Sequence, residues 1–447
     1  MTATTRFSRR NIGRTGYGLA VSLLAITLLA PAPAHAAGNV TVVHKGASLQ
    51  IVGDAANNDI DLSQTVPGEL VITGDSGTTV NGQPSETVAG LTGNVIIKLR
   101  DGNDRVAALG VVAFPKSLKI DLGDAPTTQF VFLNGVQVER NLIVVGKNGN
   151  EMISIAPHIG TLTNPTVGGV LAFRLGGGIN SAGLDSIQVG KNLVYAGRAG
   201  MDSLIIRTHG DTLTAPVIEG SLRIALGGGA SNSALVQSAQ IGRNLVFTSK
   251  EGEDTIQVTE HHLTGTIPTI GGSATVRLGD GKGTATFLSA QVEKQLRIVT
   301  GDGFDQVNVL PSPFSGASPT IGGVLSIELG HGTNFLHLEN AAVTKKLKIR
   351  GGDDEDSIDI NDATSIPNGR GIGGKTSVET GAGEDLVTVD QVEFAGRVAM
   401  LLGDADDTLG ITDSTFDDDV LLDGGAGGNV LTDTGNFFAA GLDALGF

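Results

Sequence analysis

The chain has 447 residues and a net charge of −17, with 66 glycines, 4% aromatic residues, no cysteine and no tryptophan. Disulfides are therefore excluded as a source of stability, so burial and stacking must supply it. The acid excess excludes nucleic acid as a partner, because phosphate binding needs a dominant basic surface.

At the N-terminus Arg6, Arg9, Arg10 and Arg14 precede the apolar stretch Leu19 to Leu29, and Ala34-His35-Ala36 offers a small-residue cleavage site. This pattern predicts a signal peptide over 1–36 and an exported protein, extracellular, at the cell surface or periplasmic. Ser8-Arg9-Arg10-Asn11-Ile12 also resembles a twin-arginine signal, so both the Sec and the twin-arginine routes stay open. No later apolar run is long enough to span a bilayer, and no transmembrane segment is expected in the mature chain. Removal of 1–36 leaves 26 basic against 47 acidic residues.

Residues 37–135 hold irregular repeats with apolar runs opening at Leu49, Leu70, Val95 and Leu118. From 136 to 433 the repeat is regular. Runs open at 142, 171, 193, 222, 245, 274, 296, 325, 347, 376, 398 and 420, in steps that mostly alternate between 29 and 22 residues. The stretch Leu296 to Val309, LRIVTGDGFDQVNV, shows the unit: two alternating apolar runs joined by a glycine turn. Period two marks a strand with one buried face, and a fixed repeat of this size marks a solenoid. The prediction is an all-β, right-handed parallel β-helix of about sixteen coils with a double repeat near 51 residues, its hand following the general rule for parallel crossovers.

The extra residues of each long coil fall after the second run, in loops such as Thr259 to Thr269, Leu310 to Thr320 and Asn361 to Gly371. They are expected to project from one side, where repeat proteins usually place binding. After 433, Phe437, Phe438, Leu442, Leu445 and Phe447 form an apolar tail, 434–447, expected to cover the last coil.

The turns carry Glu151, Asp202, Asp254, Asp305, Asp356 and Asp407 in one coil type and Asn180, Asn232 and Asn334 in the other. Coils lie about 4.8 Å apart, so an amide between two acids relieves their repulsion and can hydrogen-bond along the stack. That makes these turns structural in the body. From 351 to 433 the balance changes to 20 acids against Arg370, Lys375 and Arg397, and Asp356, Asp385 and Asp407 follow one another without an amide. With Asp353, Glu355, Glu384, Asp404 and Asp406 they form a candidate calcium set, because calcium takes six to eight oxygens, backbone carbonyls among them.

Three loop histidines, His158, His209 and His261 with His262 beside it, share a repeat position but stand two coils apart, too far for one zinc. Arg140, Lys191, Arg243, Lys294 and Lys345 form a basic row suited either to a solvated lip or to steering an anionic polysaccharide.

The turn Gly301-Asp302-Gly303-Phe304-Asp305-Gln306-Val307, with similar turns around Asp104, Asp385 and Asp407, resembles the calcium-binding nonapeptide of RTX proteins. The resemblance implies calcium held between turns. Here the motif recurs only once per coil, and its first glycine is often replaced, as by Thr300 and Leu329. Polysaccharide lyases and hydrolases share the parallel β-helix, which implies strand-face carboxylates and aromatic sugar platforms; Tyr195 is the sole hydroxyl-bearing aromatic after residue 36. The leading expectation is an extracellular structural or adhesive solenoid, with polysaccharide or surface proteins as partners and calcium at its acidic coils. A polysaccharide-acting enzyme and a carbohydrate-binding module are the alternatives.

Overall fold

Alternation with a period of two buries one face of a strand. In the computed structural model, which describes residues 38–361 and 371–447, every regular element is a β-strand. The signal peptide expected over 1–36 lies outside the described residues, as do residues 362–370 of one expected loop. No helix among the described residues is long and apolar enough to cross a membrane.

Most coils lay down three strands. Leu296–Val299 lies on the first face, with Leu296 and Ile298 buried; Gln306–Leu310 lies on the second and Thr320–Ile321 on the third. The faces continue as parallel ladders in register, so that Leu118, Leu142, Leu171, Leu193, Leu222 and Leu245 stand one above another. The fold is thus an all-β parallel solenoid whose core is a column of stacked aliphatic side chains. Each buried leucine or isoleucine contributes about 1.5–3 kcal/mol relative to exposure.

The two coil lengths differ at one corner, between the second and third faces. Compact coils turn there on a single residue in the left-handed region, such as Ser186 (φ 50°), Ser238 (φ 55°) or Ser289 (φ 53°). Long coils replace that residue with the loops 157–165, 208–216, 260–268 and 311–319. The long-loop position read from the repeat is the one observed.

Four features depart from the sequence reading. Leu70 does not open a coil: Leu70–Gly74 runs antiparallel to both Asp59–Ser63 and Ser85–Val88, while Leu49 pairs directly with Val95. Asn39–Lys45 adds an antiparallel strand to Ser48–Val52, so the first ladder begins on a paired edge. The physical reason is that alternation is the same for parallel and antiparallel strands, and Pro67-Gly68 and Asp75-Ser76-Gly77 reverse the chain. The third-face strands are mostly two residues long, too short for any periodicity to reveal. Finally, the tail covers the preceding coil by continuing its ladders: Phe437–Phe438 pairs with Thr415–Phe416, and Leu442–Leu445 with Val420–Asp423. On that third face Phe394, Phe416 and Phe438 stack with centroids 5.0 and 4.9 Å apart and ring planes within 10°.

Candidate functional site

The most unusual chemistry lies inside the coils. At the entry to the second face, Asn58, Asp104, Gln129, Glu151, Asn180, Asp202, Asn232, Asp254, Asp305, Asn334, Asp356, Asp385 and Asp407 are all buried. Their burial follows from phase. Asp202, Leu204 and Ile206 are two residues apart, as are Asp305, Val307 and Val309, so the polar residue opens the inward row of its own strand.

In the coils from 142 to 334 the corner residue before a rung matches it in size, whereas Leu99 and Leu402 precede the carboxylates Asp104 and Asp407. Gly146, Gly197, Ser249 and Thr300 precede carboxylates, whereas Leu175, Leu226, Leu278 and Leu329 precede Asn or Gly. A Cβ on Gly197 would lie 1.8 Å from Asp202 Oδ2, so a larger residue there would displace that carboxylate from its present position. The leucines are buried and close the ladder from water.

From Glu151 onward most rungs bond to a neighbour, the Glu151 amide donating to Asn180 Oδ1 (3.3 Å). Asn180 Nδ2 donates to Asp202 Oδ1 (3.0 Å), the Asp202 amide donates to Asn232 Oδ1 (2.9 Å), and Asn232 Nδ2 donates to Asp254 Oδ1 (2.7 Å). Further along, the Asp305 amide donates to Asn334 Oδ1 (3.2 Å) and Asn334 Nδ2 to Asp356 Oδ1 (2.9 Å). The acid and amide alternation is therefore a hydrogen-bonded ladder, as the spacing predicted. It is also a ladder of strained protonation. Oδ2 of Asp104, Asp254, Asp305, Asp385 and Asp407 has no hydrogen-bond partner. Burial pushes Asp104 and Glu151 up to about 7, and Asp305, Asp356 and Asp385 to about 6. Burial likewise raises Asp202, Asp254 and Asp407.

The eight acids of the calcium set do not gather at one point. Asp356, Asp385 and Asp407 are inward rungs, with the Asp356 amide on Asp385 Oδ1 (2.8 Å) and the Asp385 amide on Asp407 Oδ1 (2.9 Å). Asp353, Glu355, Glu384, Asp404 and Asp406 face solvent on the other side of the backbone. Among the described residues no three His, Asp or Glu side chains converge on a position that would hold a metal ion. In the turns that resemble RTX nonapeptides, Asp104, Asp305, Asp385 and Asp407 all point into the ladder.

The other candidates are dispersed. Tyr195 is fully buried and donates to Asp202 Oδ1 (3.2 Å), so it is a core residue and not a sugar platform. The basic row Arg140, Lys191, Arg243, Lys294 and Lys345 is exposed along the corner that leads back to the first face. Histidines close their own loops: His158 Nδ1 lies 2.9 Å from Thr161 Oγ1, His209 Nδ1 accepts from the Asp211 amide, and His261 Nδ1 lies 3.2 Å from Thr264 Oγ1.

Those loops form the second feature. Each of the four described loops carries an exposed apolar side chain, Ile159 and Leu162, Leu213, Leu263 and Phe314, with Leu263 68% exposed. Their charged residues are only Asp211 and Glu260, and Glu260 is buried. The loops are anchored from below. Gln137, Gln188 and Gln240 on the third face donate to the carbonyls of Asn164, Ala215 and Ile267 in the neighbouring loops. Glu260 further ties its loop to the next, accepting from the Ser312 and Ser315 hydroxyls and from the Ser315 amide. Exposed apolar groups on a fixed frame lose little entropy when they are covered. Comparison with known proteins adds no relative: no protein-family model matches the chain, and no curated protein matches it.

Proposed function

We propose that this chain is an exported structural or adhesive solenoid that presents its loop row to a polysaccharide or to another surface protein. One observation carries the reading: the loops recur every second coil, are almost uncharged, and each offers exposed apolar side chains held by hydrogen bonds beneath. Contiguous exposed apolar surface on a repeat protein marks an interaction face. Leu263→Ser combined with Phe314→Ser is expected to weaken binding at least tenfold on a glycan array or on intact cells, since covering two such side chains is worth about 1.5–3 kcal/mol each. Circular dichroism of that variant is expected to stay unchanged, because both side chains are solvent-exposed. Undiminished binding would overturn the reading, and release of unsaturated uronates would favour the enzymatic alternative.

Calcium at the acidic coils is proposed alongside it. The supporting observation is the run Asp356, Asp385 and Asp407 on consecutive coils with no amide between them, backed by five outward acids. Calcium between outward acids and turn carbonyls would supply the missing positive charge. Saturable uptake by calorimetry and a higher melting temperature are expected. Asp385→Asn restores a donor between Asp356 and Asp407, so it is expected to stabilise the calcium-free form and weaken uptake. Calorimetry without saturable heat leaves only a solvated acidic patch.

A further inference from the structure

Gln129 and Glu151 are adjacent rungs, paired directly in register where the irregular N-terminal coils meet the double-repeat body. Both are completely buried. Gln129 spends both amide protons, donating to the carbonyls of Leu122 (2.8 Å) and Gly102 (3.2 Å). That fixes which end of its amide is oxygen, and Oε1 is left without a donor. Across the coil spacing, Glu151 Oε1 and Oε2 also lack hydrogen-bond partners. Three buried acceptors therefore stand on two adjacent rungs of one joint, and neither side chain offers the other a donor while Glu151 is ionised. Buried acceptors without donors are costly, and a single proton on the carboxyl satisfies two of the three.

We propose that Glu151 is a buried proton site: it stands in the ladder as the neutral acid, donates its O–H to Gln129 Oε1, and releases the joint between the two coil regions when that proton is lost. Its surroundings hold no compensating cation. On one side lies the Thr128–Asn134 strand, with Gln129; on the other is the Asn180–Asp185 strand, with Asn180, whose Oδ1 takes the Glu151 amide (3.3 Å). Beyond Asn180 stand Asp202 and the Tyr195 hydroxyl, and a charge on Asp202 opposes a charge on Glu151. Lys147, on the corner, points away to Asp124 (3.4 Å). The Gly176 amide favours the anion but is outweighed by burial, which raises Glu151 from 4.5 to about 7. Because the folded value lies above the unfolded one, this rung's stabilisation is complete below about pH 4.5 and is lost as pH rises through about 7.

The test compares the full chain with Glu151→Gln, which supplies a permanent donor of the same shape. Melting temperatures are expected to agree near pH 5, with the variant higher by several degrees at pH 8.5. A difference independent of pH would overturn the proposal. Should the variant fail to fold, hydrogen exchange on the unmodified protein decides. Amides of 128–134 and 150–156 are expected to lose protection above pH 7 relative to those of 284–288, after correction for intrinsic rates. Equal behaviour of the two regions would overturn it as well.

Discussion

Phe416→Ala is expected to cost about 3–5 kcal/mol, the range for deleting a buried aromatic ring. The ring is fully buried between Phe394 and Phe438, and both neighbours stack on it almost in parallel. Truncation therefore leaves a cavity and also removes two aromatic contacts, each worth about 0.5–1.5 kcal/mol beyond area. Solenoid coils depend on nearest neighbours, so the loss is expected to be local. Hydrogen exchange is the appropriate measurement: amides of Leu409, Ile411 and Leu422 are expected to open before those of Leu204 or Leu222. A uniform change along the chain, or a cost under about 1 kcal/mol, would contradict the stacked column.

Asn232→Asp is expected to destabilise by about 3–5 kcal/mol at pH 7.5, as does breaking a buried charged network. Asn232 donates to Asp254 Oδ1 and to the Gly227 carbonyl (3.2 Å) while accepting from the Asp202 amide. An ionised carboxylate there retains only the acceptor role and places three buried carboxylates on successive coils. The deficit is expected to shrink near pH 5. A protonated carboxyl can donate again, and buried acids with raised values are favoured as the pH falls. Thermal melts at both pH values measure this, with Asn232→Ala as the uncharged control. An equal deficit at both pH values would mean that charge is not the cause.

Much of this architecture was legible because solenoid coils repeat their own pattern. The steps near 22 and 29 residues located the first two faces and the loops, and the Asp and Asn alternation announced contact along the stack. What stayed hidden has physical causes. Asp302 and Asp305 lie in the same glycine turn, yet Asp302 faces solvent and Asp305 is buried. Their difference is one of phase, since only Asp305 is spaced by two from Val307 and Val309. The same test would have separated Asp356 from Asp353 and Glu355, and Asp407 from Asp404 and Asp406. For Leu70 no such test existed, because pairing direction leaves no mark on an alternating strand.

The ladder also constrains how such a gene can change in length. Tandem units of one pattern can be gained or lost as units, and loss of one full 51-residue pair, 245–295 for instance, keeps the alternation of the body by setting Asp305 beside Asn232. Gain or loss of a single coil shifts parity: acids meet acids, and the leucine and glycine corners lose their partners. Viable length variants should therefore differ by even numbers of coils. The run at Asp356, Asp385 and Asp407, where two short coils follow a long one, is the place where this chain itself departs from even parity.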